Sequence, residues 1–389
     1  MIKKRLDRYL VFMCTCLFTV SIAGSRPLIP LYAKQLGAEN IHIGVIIALF
    51  SMLPLLLSVK TGTVIDYIGV KKPLIFSIVI GSISMLILSI SRDYIGIYIS
   101  QIFAGFAHLV FVLSIQSYAG HFSKNKLREY YIAIFSIAVA SGSFAGPVIS
   151  GFLTDTISYS YAFLVLGLII LIALPLSWLF HEIQIKAPKS IEPHEKAEKA
   201  FRLLQDSHLR KAILISSLVL LVKDAYIAFF PLLAAEKGVS TSVIGVIISL
   251  NAAAGILIRS ILPWIVQRYK RKMIIIISII MAGIIYMINP FVDHVIWLCI
   301  LGFILGFCSG IGQPLSIFVT IIALPKDRIA EGLGLRLMFN KVTQVVAPLS
   351  LGAVSGVVGM SGVFYLCGAV ILAGGIQPCK SLFYKKYKR

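Results

Sequence analysis

The sequence predicts an all-α membrane protein with twelve transmembrane helices in two pseudo-symmetric six-helix bundles, and three observations predict it. Apolar runs of membrane length recur along the whole chain, Lys and Arg gather in alternate loops, and the second half repeats the first at a constant offset of 201 residues.

Of the 389 residues, 58% are hydrophobic and 13% charged, which leaves too little polar surface to cover a water-soluble globule. The formal charge of +20 would suit nucleic acid only as a basic face on a soluble domain. Here the cations stand between apolar runs, so nucleic acid is not an expected partner. The six cysteines (Cys14, Cys16, Cys299, Cys308, Cys367, Cys379) lie in apolar stretches without a CxxC pair or a His at ligand spacing, and read as small hydrophobes. Lys3, Lys4 and Arg5 ahead of the first run imitate a secretory leader, but the many apolar runs that follow make that run a span.

A helix needs about 20 apolar residues to cross about 30 Å of hydrocarbon. Runs on that scale fall at 9–31, 43–59, 73–91, 94–118, 131–153, 160–180, 211–233, 243–264, 273–291, 295–320, 333–356 and 362–378. Cations flanking spans stay on the cytoplasmic side. They mark the N-terminus (Lys3, Lys4, Arg5, Arg8), the even-numbered loops (Lys71 and Lys72; Lys124, Lys126 and Arg128; Arg268 to Lys272; Lys326 and Arg328) and the C-terminal tail. The opposite loops hold only Lys34, Arg92 and Lys237. A multi-pass protein of the cell membrane with both termini cytoplasmic is therefore expected. The domain reading is an N-terminal bundle at 1–180, a hydrophilic cytoplasmic linker at 181–210 and a C-terminal bundle at 211–389.

The repeat is explicit. Pro30-Leu31, Gly37 and Ile43-Gly44-Val45-Ile46-Ile47 recur as Pro231-Leu232, Gly238 and Ile244-Gly245-Val246-Ile247-Ile248. The same offset carries Lys71 onto Lys272, Gly105-Phe106 onto Gly306-Phe307, Pro147 onto Pro348 and Gly151 onto Gly352. Parallel repeats imply a central site between two bundles near the bilayer midplane, worked by rocking one bundle against the other.

Three stretches carry a family resemblance. Between the second and third spans, Gly62-Thr63-Val64-Ile65-Asp66-Tyr67-Ile68-Gly69-Val70-Lys71-Lys72 resembles the major facilitator superfamily loop G-x-x-x-D-R-x-G-R-[KR], with Tyr67 and Val70 where bases are usual. Its glycines permit a tight turn and close helix approach, and a carboxylate at a helix end can pair with cations or a helix N-terminus. Gly62, Asp66, Gly69, Lys71 and Lys72 are thus gating candidates. In the fifth span, Gly142, Gly146, Pro147 and Gly151 look like the G-x-x-x-G-P-x-x-x-G signature of the drug:proton antiporter branch, implying a kinked, close-packed seam. That branch usually carries an Arg four residues before a glycine of the fourth helix, and here Gln101 precedes Gly105. The tenth span, Gly302 to Pro314, is similar to the glycine-rich tenth helices of bacterial members.

Ionisable groups in hydrocarbon are costly and are functional candidates by default. Arg26, Lys223, Arg259, Arg336 and Lys341 qualify as cations, and Asp224 as the clearly embedded acid. Arg26 maps by the repeat onto 227, one helical turn after Lys223, so the two occupy equivalent places and suit a carboxylate or phosphate on cargo; Arg26 is also within snorkelling reach of the outer surface. Lys223 is at mid-span. Asp224 is the candidate proton carrier, with a structural ion pair to Lys341 or Arg26 as the alternative. Arg336, Asn340 and Gln344 form a polar stripe with Lys341 beside it. Arg336 alternatively pairs with Asp66, as an analogous cation does in relatives. His108 either shares protons or packs among aromatics, and Asn251 adds a polar contact.

No nucleophile, metal cluster or paired acids mark an enzyme, no G-x-x-x-x-G-K-[ST] loop binds ATP, and no cofactor is implied. The resemblance implies a secondary transporter of a small-molecule substrate, a monomer in the lipid bilayer with protons as coupling ion. Export of an amphipathic compound is the first reading. Import or exchange of an organic anion bound by the embedded cations is the second.

Overall fold

The computed structural model describes residues 2–120, 125–181, 203–322 and 329–384. The expected linker falls largely outside these residues, as do Lys124, Lys326, Arg328 and the last five positions. Hydrocarbon offers no water to satisfy backbone N–H and C=O groups, and helices satisfy them internally. The described chain accordingly runs as α1 (Ile2–Gln35), α2 (Asn40–Ile68), α3 (Lys71–Ile90), α4 (Tyr94–Gly120), α5 (Asn125–Thr156), α6 (Tyr159–Trp178), α7 (Ser207–Glu236), α8 (Thr241–Arg268), α9 (Arg271–Ile288), α10 (Val295–Ile322) and α11 (Ile329–Tyr384). Single 3-10 turns stand at Leu203–Gln205 and Asn289–Phe291.

Eleven of these stretches are long and apolar enough to span a membrane, against the twelve separate helices expected. The difference lies in α11. Its 56 residues are interrupted at one place, Gly359, where φ is 71° and ψ −179°. The expected spans 333–356 and 362–378 fall on either side of this break. A residue without Cβ turns the backbone in a single step, so no loop separates the two arms.

Contacts divide the chain into two compact units. One holds Met1–Lys189 with Ala234–Ser249, the other Ser190–Leu233 with Leu250–Arg389. In the first, α1 packs on α5 and α6, α3 on α4 and α6, and α2 on α4. In the second, α9, α10 and α11 pack on one another. All three tryptophans, Trp178, Trp264 and Trp297, are exposed near helix ends, where amphipathic rings sit at a membrane interface.

The repeat is visible in local geometry. α1 closes with Gly37 at φ 84° and the bonds Gly37 N–H to Lys34 O and Ala38 N–H to Ala33 O; α7 closes with Gly238 at φ 76° and the bonds Gly238 N–H to Ala235 O and Val239 N–H to Ala234 O. These are Schellman caps, 201 residues apart. Helix crossings repeat as well. In the first unit Gly105 of α4 lies against the carbonyl of Phe50 in α2, and in the second Gly306 of α10 lies against the carbonyl of Asn251 in α8. Both partners of the contact are displaced by the same offset.

Candidate functional site

The second unit brings together the polar residues of α7 and α11. Gln344 donates from its side-chain nitrogen to Asp224 Oδ2 at 2.7 Å and accepts from Lys341 Nζ at 2.9 Å. Two turns away the hydroxyl of Ser216 donates to Asn340 Oδ1 at 2.9 Å. Asp224 and Gln344 open onto a narrow crevice whose other walls include Leu220, Leu221, Ala225, Phe229, Ala347 and Leu351. A carboxylate and an amide in an otherwise apolar cleft suit a ligand with one polar end and an apolar body.

The repeat explains why the crevice exists. The equivalent crossing in the first unit brings α1 against α5, and a Cβ added to Gly24 would lie 2.8 Å from the Gly146 carbonyl oxygen. Such backbone approach requires glycine on both helices. The offset carries Gly24 onto Ala225 and Gly146 onto Ala347, and both alanines line the crevice. Two methyl groups stand where the first unit has none, and the polar residues enter beside them.

The remaining candidates sit elsewhere. In the first unit the Arg26 guanidinium lies over the Phe50 ring at 4.8 Å, and the His108 ring is 5.5 Å from Phe50 and 6.5 Å from Phe18. A cation held on an aromatic face is a partnership that sequence reasoning missed, since Phe50 reads as ordinary apolar filling. Lys223 is exposed. Asn251 donates to the Gly302 carbonyl at 2.8 Å, which ties α8 to α10. Arg336 is buried at 5% exposure; one terminal nitrogen donates to Ser316 Oγ at 3.3 Å, and its Nε has no hydrogen-bond partner among the described residues. The stripe of Arg336, Asn340 and Gln344 thus turns its members toward α10 and α7. Gln101 is 3% exposed.

In the candidate gating loop, Gly69 has φ 87° and closes α2 by donating its N–H to Ile65 O at 3.0 Å. Lys71 opens α3, and Lys72 is exposed. Gly62 meets no described atom within 4 Å, so the close helix approach expected of it is absent among the described residues. Asp66 is half-buried on the last turn of α2.

The seam expected of α5 has two partners. Gly142 and Gly146 admit the backbone of α1, where added Cβ atoms would lie 2.8 Å from Val20 N and 2.7 Å from Gly24 N; Ser150 donates to the Gly24 carbonyl at 2.8 Å. Gly151 admits the start of α8, with its Cβ position 2.6 Å from Thr241 O, and Ser249 donates to the Phe144 carbonyl at 2.6 Å. Pro147 offers its carbonyl to the face of Gly245. Asp155, which sequence reasoning did not single out, completes this contact. Its two carboxylate oxygens accept from the backbone N–H groups of Thr241 at 3.1 Å and Ser242 at 2.7 Å. An acid at the end of the fifth apolar run, distant in sequence from the cation clusters, was the available signal.

With this geometry in hand, the resemblances to known proteins are informative. A family model described as Major Facilitator Superfamily matches residues 11–292 and, in a second match, 212–388. An uncharacterized MFS-type transporter of Methanocaldococcus jannaschii is 21% identical over 372 residues, covering 95% of this chain and 96% of the relative. A multi-drug resistance efflux pump PmrA homolog of Lactococcus lactis is 23% identical over 346 residues, covering 85% and 83%. Among solved structures, the nucleoside transporter NupG aligns with a TM-score of 0.79 at 13% identity over 98% of this chain and 99% of that one. A POT family transporter in complex with a thioalcohol conjugated peptide aligns at 0.79 and 14% identity, covering 98% and 97%. At such identities the solved structures speak to the fold alone.

Proposed function

The chain belongs to the Major Facilitator Superfamily, and from that premise we propose that this multi-pass membrane transporter is a proton-coupled exporter of small amphipathic organic molecules. It is a transporter and not an enzyme. In this reading the two arms of α11 are separate spans, making twelve in two bundles, and the Lys-rich ends face the cytoplasm. The functional unit is a monomer working by alternating access.

The observation that carries the reading is Asp224, a carboxylate set in an apolar crevice and joined through Gln344 to Lys341. A carboxyl in such a place takes a proton when cargo is absent and yields it when a cation or polar end arrives. The similarity to the Lactococcus efflux pump homolog supports the direction of transport.

The test is quenching of a pH-sensitive dye in inverted membrane vesicles, with ethidium as first probe, for wild type and Asp224→Asn. Dissipation of the proton gradient by ethidium, abolished in Asp224→Asn, is expected. A second reading, exchange of an organic anion, is favoured by the buried Arg336 and the other embedded cations. It replaces the first if no cation moves protons while organic carboxylates exchange and Lys223→Ala stops them.

A further inference from the structure

The start of α1 gathers hydrogen-bond donors around one cation. Arg8 lays its guanidinium over the Tyr9 ring at 4.8 Å and donates from a terminal nitrogen to the Tyr9 hydroxyl at 3.1 Å. It also engages the Tyr130 hydroxyl of α5. The acid beside it in sequence is turned inward. Asp7 is 7% exposed, its Oδ1 lies 3.3 Å from Nδ1 of His181 beyond the end of α6, and the Tyr118 hydroxyl of α4 bonds it as well. Among the described residues the partners of Arg8 are thus two phenols and no carboxylate, and its Nε has none.

A guanidinium only donates, and a phenol oxygen that accepts from it keeps its own O–H to give. The cluster therefore presents N–H and O–H donors around a positive charge, which suits an anion with several oxygens. The rings of Tyr9 and Tyr130 are 58% and 44% exposed, and amphipathic rings so placed sit at the level of lipid headgroups. Further cations stand close by in the chain, Lys4 and Arg5 about one turn before Arg8 and Arg128 two residues before Tyr130. The repeat closes the same place differently. Arg8 corresponds to Leu209, which is buried with Ile213 and Leu335. Apolar packing can seal this end of a bundle, so folding does not call for the cation.

We propose that Arg8, Tyr9 and Tyr130 form a binding site for the phosphate diester of an anionic glycerophospholipid, in the leaflet that meets the N-terminal end of α1. The phosphate oxygens accept from the guanidinium and the phenols, and the acyl chains lie along the exposed side chains of Met13 on α1 and Ile132 and Ile137 on α5. A zwitterionic headgroup brings an ammonium that needs an acceptor, and the nearest acid, Asp7, is engaged inside the bundle. A headgroup of net negative charge is therefore selected.

The test is native mass spectrometry of the full-length protein from detergent micelles carrying phosphatidylglycerol or phosphatidylcholine with the same acyl chains, read as the apparent affinity of the first bound lipid. Wild type should hold phosphatidylglycerol about tenfold more tightly than phosphatidylcholine, and Arg8→Gln should abolish that preference. Tyr130→Phe keeps the ring, and so decides the matter if Arg8→Gln does not fold; it should weaken phosphatidylglycerol binding about 2- to 10-fold and leave phosphatidylcholine unchanged. Arg268 also lies over an aromatic ring, that of Trp264 at 5.9 Å, but bonds no hydroxyl among the described residues. Arg268→Gln should keep the preference. A preference unchanged in both Arg8→Gln and Tyr130→Phe overturns the site, and so does one lost equally in Arg268→Gln, which would reduce it to net charge. Millimolar inorganic phosphate should leave the lipid bound; displacement by it would overturn the assignment to a lipid.

Discussion

Replacing Asp155 by alanine releases the first turn of α8, and the structure gives the size of the effect. The first N–H groups of any helix lack partners within it. In α8 two of them, on Thr241 and Ser242, donate to Asp155 at 3.1 and 2.7 Å, and the Val243 N–H donates more weakly to the Ser240 hydroxyl at 3.5 Å. Loss of an N-terminal cap costs about 0.5–2 kcal/mol, and an anion at the positive end of a helix adds about 0.3–1 kcal/mol. Asp155 is exposed, so solvent screening keeps the total to about 1–2 kcal/mol, a factor of about 5–30 in a local opening equilibrium. Hydrogen exchange resolved to the peptide containing Thr241 and Ser242 should therefore accelerate by about 5- to 30-fold in Asp155→Ala. Asp155→Asn keeps one acceptor and lies between. The equivalent helix start at Asn40 and Ile41, which Asp155 does not serve, should exchange as in wild type. Exchange at 241 and 242 that is identical in wild type and Asp155→Ala would refute the reasoning. Any conformational cycle that opens this end of α5 must break the same two bonds.

Other substitutions separate packing from chemistry. Gly146→Ala inserts a methyl against the Val20 carbonyl and 2.7 Å from Gly24 N; overpacking costs about 1–3 kcal/mol, read as a lower thermal unfolding midpoint in detergent. Asn251→Ala removes the bond to the Gly302 carbonyl, and the expected loss of about 1–3 kcal/mol appears in the same melt, with cargo-driven proton flux retained. Arg336→Met removes a buried cation whose Nε is unsatisfied among the described residues; a raised unfolding midpoint is expected, because an uncompensated buried charge is destabilising.

Most of the architecture was legible because membrane helices obey few rules. Length and hydropathy place the spans, and a constant offset reveals the repeat. That offset reappears in the structure as paired Schellman caps and as paired crossings at Gly105 with Phe50 and Gly306 with Asn251. Gly359 was not legible. A glycine within an apolar stretch reads as a packing residue, and only its φ of 71° distinguishes a break from a continuation. Asp155 escaped for a related reason, since capping depends on which helix start lies nearby in space, 86 residues later in sequence. The pairing of Asp224 with Gln344 likewise joins helices 120 residues apart, beyond the reach of any periodicity. Azimuth on α11 grouped Asn340 and Gln344, which both bond to side chains of α7. It could not say that Arg336, from the same stripe, meets Ser316 of α10 instead of α7.

The two copies of one helix crossing also show how an asymmetric function is obtained from a symmetric scaffold. Duplication alone would give both crossings the same chemistry. In the first copy, glycine on both helices lets the α1 and α5 backbones meet, and Ala23, Ala140 and Ser143 add no charge. In the second, alanines at 225 and 347 line an opening beside the crossing, and Asp224, Lys341 and Gln344 occupy the equivalent positions. The methyl pair and the polar chain depend on each other. Without the opening, a carboxylate at 224 would have no path to solvent or ligand; without the carboxylate, the opening would be a packing defect, and membrane helices associate chiefly by close packing. On that dependence, Ala225→Gly with Ala347→Gly should close the crevice, and ethidium-driven proton flux in inverted vesicles should be lost even though the Gln344 bond to Asp224 is untouched. Flux retained in that double variant would mean that cargo and proton reach Asp224 by another route, and the crevice would lose its role as the path of entry.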